Sequence, residues 1–256
     1  MRTFTINPTP SNATVTINNQ TTKSVTVIEG TSISWSVSAS GYSAQSGSLT
    51  LIDDTTKDVV LVECAYTANQ VIFEKSTAGT YSVELLETGN YEVYAIGGGG
   101  GGSNYREDNL YGYAGGGSGA GFIGVITLSK AVHSVIVGAG GAGNNGYFGS
   151  SSKVGGTGGN SSISNSVTCY GGGGAEAYDT GNTTVGAGGS KPTVNVPIIS
   201  TTLNTAGNSG SRHHNGGSGN TANGGASVYN GYGAGGKSAK TSASGTAGYV
   251  KIVWKG

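Results

Sequence analysis

Tyr91-Glu92-Val93-Tyr94-Ala95-Ile96 runs without a break into Gly97-Gly98-Gly99-Gly100-Gly101-Gly102. An aromatic and apolar run of strand length thus ends in six residues that carry no side chain. A glycine tract alone predicts a flexible linker. Here further tracts lie at 115–121, 138–146, 155–159, 171–174, 186–189, 216–225 and 231–236. Between them lie apolar runs of strand length at 122–128, 132–137 and 166–170, and residues 248–254 close the chain as another. Strand-length apolar runs alternating with glycine predict an ordered β architecture, because a purely flexible region has no use for them. No segment shows the periodicity of an amphipathic helix.

Upstream, residues 69–75 and 80–86 read as strands, and residues 1–65 read as a separate small module. Thr14-Val15-Thr16-Ile17 alternates polar and apolar, as does Ser32-Ile33-Ser34-Trp35-Ser36-Val37-Ser38. Period two places Ile33, Trp35 and Val37 on one buried face. Further strands are expected at 24–28, 48–52 and 59–62. Pro8, Pro10, Asn18-Asn19, Gly30, Gly41, Gly47 and Asp53-Asp54 are expected as turns between them. Five or six strands in 65 residues make a small β-sandwich.

The composition breaks where the glycines begin. Of 50 glycines only five precede residue 97, and the remaining 45 fall in 97–256. The 13 basic and 13 acidic residues are also divided unevenly. Residues 1–96 hold 4 basic and 9 acidic, and 97–256 hold 9 basic and 4 acidic. The basic residues form no run, which argues against a nucleic-acid partner. Two cysteines, Cys64 and Cys169, with no CxxC or Cys/His cluster predict buried free thiols and no zinc site. The first residues lack the apolar core of a secretion signal. No apolar stretch reaches the length of a membrane-spanning helix.

Two motifs fail on context. Gly231-Tyr232-Gly233-Ala234-Gly235-Gly236-Lys237-Ser238 fits the P-loop pattern, but residues 239–248, where the helix should begin, have no apolar helical face. Gly138-Ala139-Gly140-Gly141-Ala142-Gly143 fits a dinucleotide-binding pattern, but lacks both the helix and the acidic residue that pattern requires. No cofactor and no metal site are expected. Arg212-His213-His214 has no carboxylate after Asp179 to serve it and reads as an exposed loop. His133, at a strand start, reads as structural.

Residues 1–65 resemble PEGA-like small surface β-sandwich modules. The likeness rests on Ile6-Asn7-Pro8-Thr9-Pro10 leading into Ala13 to Asn18, on Val27 to Thr31, on Ala39 to Tyr42 and on Ser46-Gly47-Ser48. The remainder resembles the glycine-rich domains of phage tail fibres and related adhesins, and the glycine-rich region of the animal receptor anaplastic lymphoma kinase. The matching residues are 73–83 and 91–102, then Gly119-Ala120-Gly121-Phe122 with Val125 to Leu128. Val135-Ile136-Val137-Gly138-Ala139-Gly140-Gly141-Ala142-Gly143, Gly158 to Ser162 and 248–254 complete them. The resemblance implies an all-β chain: a sandwich over 1–65, then a jelly-roll-like sandwich over 66–256 with glycine tracts packed as polyglycine II helices. Physics agrees with that implication. A polyproline-II-type helix has no internal hydrogen bonds, so its backbone groups need outside partners. Only glycine lets neighbouring backbones come close enough to supply them.

The expected function is non-enzymatic. The leading reading is a phage tail-fibre-associated adhesin, made in the host cytoplasm, carried on the virion and working outside the cell. Alternatives are a head-fibre or decoration protein of the particle, or a bacterial surface protein. A glycan depolymerase is disfavoured because 97–256 offers only Glu107, Asp108, Glu176 and Asp179 as carboxylates. Expected partners are a host receptor (a glycan or surface protein) and other virion proteins, with no membrane insertion, and a homo-oligomer is compatible with this role. Tyr105, Tyr111, Tyr113, Arg212, His213, His214, Tyr229 and Tyr232 fall in or beside the glycine-rich connections and are the expected ligand-binding residues. Tyr147, Phe148 and Tyr178 share that setting. Replacing Tyr229 and Tyr232 by Ala is expected to weaken binding while leaving stability nearly unchanged.

Overall fold

The computed structural model describes residues 1–107, 110–145, 153–177, 183–214, 221–239 and 241–256. The described residues contain strands and no helix, so the chain is all-β. It divides into two compact units, Met1–Thr67 and Ala68–Gly256.

The first unit has seven strands: β1 Arg2–Thr9, β2 Thr14–Ile17, β3 Gln20–Thr21, β4 Ser24–Val27, β5 Thr31–Ser38, β6 Gln45–Leu51 and β7 Thr55–Val60. They form one sheet in the order β4-β1-β7 and another in the order β3-β2-β5-β6. Alternation does what it promised: Ile33, Trp35 and Val37 are buried while Ser32, Ser34, Ser36 and Ser38 are exposed. Phe4, Ile6, Val15, Ile17, Leu51 and Val59 complete the core. Asn18 and Asn19, with φ of 46° and 65°, form the expected turn between β2 and β3.

Two residues expected as turns lie inside strands. Pro8 belongs to β1, which pairs with β4 only through Thr5 but with β7 out to Thr9. Ile6 N–H donates toward the β4 side, to Lys23 O, and Thr9 O accepts on the β7 side from Leu61. By alternation Pro8 faces the β4 side beyond the end of that strand, so its missing N–H costs no ladder bond. Gly47 sits within β6 opposite Trp35. A Cβ there would lie 2.8 Å from the indole ring, so this glycine is set by close packing.

The second unit opens with β8 Val71–Lys75, β9 Gly79–Leu85 and β10 Gly89–Ile96. Further along are β11 Ser103–Glu107, β12 Leu110–Ala114, β13 Gly121–Leu128, β14 Ala131–Val137, β15 Asn144–Asn145 and β16 Lys153–Val154. The last are β17 Ser161–Ile163, β18 Val167–Cys169, β19 Glu176–Ala177, β20 Thr193–Val194, β21 Ile198–Thr205, β22 Arg212–His214 and β23 Tyr249–Trp254. Two five-stranded sheets, β21-β13-β10-β23-β8 and β20-β18-β17-β14-β9, hold the apolar core. Tyr91, Val93, Ala95, Phe122 and Ile252 of the first are buried, as are Leu85, Val135, Ile163, Val167 and Cys169 of the second. β10 lies against β17 and β18. His133 is buried, with its Nε2 2.9 Å from Ser129 O. β21 was not expected, because Ile198-Ile199-Ser200-Thr201-Thr202 has no period and is exposed throughout.

Beyond the sheets the glycine tracts pack on one another through their backbones. Gly97 and Gly100 donate to Ala120 and Gly117; Gly98 and Gly101 donate to Gly159 and Gly156; Gly99 and Gly102 donate to Thr246 and Ala243. The carbonyls repeat the pattern: Gly98 and Gly101 accept from Gly172 and Ala175, Gly99 and Gly102 from Gly141 and Asn144, and Gly100 from Gly236. Every third residue therefore addresses the same neighbour, and the tract is ringed by six chain segments. Residues 115–120 are ringed likewise, donating to Ser211 and Asn208, to Gly236 and Gly233, and to Gly173 and Tyr170. A Cβ at Gly99 or Gly100 would collide with the backbone carbonyl of Ala234 or Gly173.

Segments on the outside of this array need glycine only where they face inward. Gly207 with Gly210 and Gly245 with Gly248 show that spacing of three, and a Cβ would clash with array backbone at the first three and with the end of β10 at Gly248. Their lower glycine content hid them from a search for tracts.

Gly100→Ala should therefore cost about 3 kcal/mol or more, as overpacking against rigid backbone does. Gly30→Ala, at a turn with φ of 84° and open space around it, should cost about 1 kcal/mol. Denaturant unfolding of the two variants checks the contrast. A thiol reagent should modify the half-buried Cys64 in the native protein and spare Cys169. Burial at that site pushes the thiol up to about 12, and the thiolate is the reactive form.

Candidate functional site

The eight expected binding residues gather at two places. Residues 97–102 lead out of β10 into β11, and β12 leads back into residues 115–120. At that far end β15-β11-β12-β22 form a four-stranded sheet. It carries Tyr105, Tyr111, Tyr113, Arg212, His213 and His214, with Tyr113 opposite His213 and Ala114 opposite Arg212. The residues read as a loop, Arg212-His213-His214, are thus an edge strand. Tyr105 and Tyr113 are 5% and 1% exposed, so these two rings fill the interior and do not present a surface. Asn104 secures the same region, donating to Asn145 Oδ1 at 3.1 Å and Ala239 O at 2.9 Å. Arg212 is exposed and places Nη1 3.4 Å from Thr183 O. The side chains of Tyr111, His213 and His214 lie outside the described part, as do residues Tyr147, Phe148 and Tyr178.

Tyr229 and Tyr232 lie at the other end of the array, where Gly233 packs against Gly97. Asn230 and Gly231 have φ of 45° and 81°, the type I′ turn favoured by Asn-Gly. Tyr232 N–H closes the turn on Tyr229 O at 3.0 Å. Ser227 Oγ donates to Tyr229 O at 2.9 Å, and Thr246 Oγ1 donates to Gly231 O at 3.0 Å. The Asn-Gly pair was the signal for this turn within the glycine-rich sequence.

The turn lays its rings on the outer face of the five-stranded sheet. Tyr232 stacks on Tyr249 of β23 with centroids 4.4 Å apart and planes 8° from parallel. Tyr229 lies 6.0 Å from Tyr249 and 5.7 Å from Tyr94 of β10. Tyr249 Oη donates to Glu74 Oε1 at 2.6 Å, and Lys251 Nζ is 3.5 Å from Glu74 Oε2 and 5.9 Å from the Tyr94 ring centre. The phenol hydrogen bond holds the Glu74 carboxyl below its usual range. Burial first, then Glu74, drives the Tyr249 phenol upward, and burial raises Tyr94. The stack offers phenol hydroxyls and ring faces. An open pocket beside it is lined by Ser76, Asn230, Gly231, Tyr232, Thr246 and Ala247.

Glycine amides of the two nucleotide-like motifs are bonded within the array. Gly233, Gly235 and Gly236 donate to Ala247, Gly225 and Gly100, and Gly141 donates to Gly99. Among the described residues no cluster of three His, Cys, Asp or Glu could hold a metal.

The stacking corrects the expectation that Tyr229 and Tyr232 are dispensable for stability. Both rings are only partly exposed and pack on the sheet, so Tyr232→Ala should cost about 2 kcal/mol from lost area and ring contact. Thermal unfolding checks it. The Tyr94 and Tyr249 phenols beneath those rings also set an alkaline limit. Their folded pKa values are raised, so their contribution is complete below the ordinary phenol value of about 10 and fades as pH rises beyond it. Ultraviolet titration should show a tyrosine fraction ionising above that value, and Glu74→Gln should bring part of it down.

Residues 1–64 match the family described as the head fiber dimeric protein-like domain. A curated relative, the head fiber dimeric protein of Bacteroides phage crAss001, is 52% identical over 60 residues. That alignment covers 23% of this chain and 49% of the relative, so the chain spans about half the length of the protein it matches. Residues 75–256, most of the chain, match the model described as glycine-rich domain, and the chain belongs to that glycine-rich family.

Proposed function

We propose that this chain is a non-enzymatic structural protein of a phage particle, a head-fibre component rather than the tail-fibre adhesin that the glycine-rich region alone suggested. The observation that carries the reading is the 52% identity of 60 N-terminal residues to a phage head fibre protein. Identity at that level over nearly the whole of a small module argues for a shared role of the module. In this reading residues 1–64 form a dimeric unit that belongs to the fibre assembly.

The glycine-rich unit then serves as a rigid support. Its three-residue bond pattern supports reading the tracts as polyglycine II helices beside a jelly-roll-like sandwich. Backbone saturated with backbone leaves few side chains for recognition, so recognition falls to the ends of the array. Among the expected binding residues with described side chains, Arg212 on the far sheet is exposed and Tyr229 and Tyr232 at the near end are partly so, and a host glycan or surface protein is the ligand class they suit.

Gold-labelled antibody against the purified protein should decorate capsids in electron micrographs of particles. Label confined to tails would sink the head-fibre reading and restore the tail-fibre one. Purified full-length protein should bind host cells, and Arg212→Ala should reduce that binding at least about fivefold if the far end is the contact surface.

A further inference from the structure

The first unit ends one of its sheets in an edge strand that itself carries no charge, proline or bulge. Of its four sheet edges, β3 is two residues long, β4 is four, and β7 carries Lys57 and Asp58. The fourth, β6, is Gln45-Ser46-Gly47-Ser48-Leu49-Thr50-Leu51: seven residues with no charge and no proline. Its register with β5 runs without a bulge from Thr31 opposite Leu51 to Val37 opposite Gln45. No strand pairs with its far side. Proteins normally blunt such an edge with charge, proline, bulges or shortness. Its start is tied across, with the Gln45 amide donating to Val60 O at 2.8 Å and, just before the strand, Ser43 N–H donating to Val62 O, so the edge is open from Ser46 onward.

The side chains beside the edge also suit a partner strand. On the outer face Ser46, Ser48 and Thr50 stand opposite Ser36, Ser34 and Ser32 of β5, and all six are exposed. No charge or bulky group on that face would meet its own copy across a twofold axis. On the inner face Leu49 is only half-buried, and Gly47 leaves the strand thin where Trp35 lies beneath it.

We infer that β6 is the dimer interface: two copies of this chain pair β6 with β6 antiparallel, about a twofold axis beside Ser48, into one continuous eight-stranded sheet. The occupant is a second copy because an antiparallel pair of identical strands is self-complementary. Backbone hydrogen bonds supply the attraction and the small hydroxyl face supplies the absence of repulsion. The inference rests on the dimeric reading of residues 1–64 and adds the surface.

The test is sedimentation equilibrium of the full chain at roughly tens of micromolar, with three proteins. Wild type should be a dimer. Ser48→Lys sets two ammonium groups opposite each other at the axis, where like charges repel, and should raise the dimer dissociation constant at least about tenfold. Ser34→Lys, on the same face but one strand inward, should leave the dimer intact. Unchanged far-ultraviolet circular dichroism would show that both variants fold. A wild-type dimer that survives Ser48→Lys overturns the edge assignment while the dimeric reading stands. Loss of the dimer in Ser34→Lys as much as in Ser48→Lys places the contact on the sheet face and also overturns it. A monomeric wild type overturns the dimeric reading itself, and this inference with it.

Discussion

The second unit depends on one arrangement, the backbone of residues 97–102 bonded in three directions by its amides and in three more by its carbonyls. A strand in a sheet has two neighbours, and this tract has six. Each of those neighbours must come to backbone contact distance, which no side chain permits. Glycine therefore loses its usual meaning here. Its high ordering entropy is offset by hydrogen bonds that satisfy buried amides and carbonyls of 97–102 and 115–120, which would otherwise be costly to leave unpaired.

From that core the composition can be understood. In 97–102 glycine occupies every position, and in 115–120, ringed likewise, only Ser118 and Ala120 depart from it. Where a segment lies on the outside, glycine recurs every third position and the intervening residues are Ala, Ser, Thr or Asn. Ser161 joins the array to the sheets, donating to Ile96 O at 2.6 Å and accepting from Gly138 N–H at 2.9 Å. It is fully buried, so one hydroxyl ties the end of β10 to an array segment. The two five-stranded sheets, by contrast, are held by ordinary apolar burial.

Much of this was legible in the residues. Strands with strict alternation, such as Ser32 to Ser38, announced both their span and their buried face. Strands that break the rule did not. Pro8 hid β1, because proline marks a turn unless the neighbouring strand has already ended. β21 hid because an edge strand exposed on both faces needs no apolar period. The candidate site was legible as a list of residue types and not as an arrangement. Of the tyrosines in the glycine-rich connections, Tyr105 and Tyr113 turn inward to fill the far sheet. Tyr229 and Tyr232 found partners in Tyr94 and Tyr249, which sit on strands far away in sequence. Only long-range pairing decides which tyrosines face outward, and local sequence carries no trace of it.

The order in which the chain is made bears on the array. Gly99 and Gly102 donate to Thr246 and Ala243, and β10 pairs along its length with β23 at the far end of the chain. The tract at the centre is therefore among the first parts of its unit to be synthesised and among the last to be satisfied. The strand pairings of the first unit, in contrast, all lie within sixty residues. During synthesis at ~5–20 residues per second, that module can fold while the glycine-rich segment behind it is still emerging. The second unit has to wait for its final strand. Its contacts are so distant in sequence that slow, late folding is built into its topology. A chain cut short before residue 243 would leave Gly99 and Gly102 without the carbonyls their amides reach, attached to a module already complete.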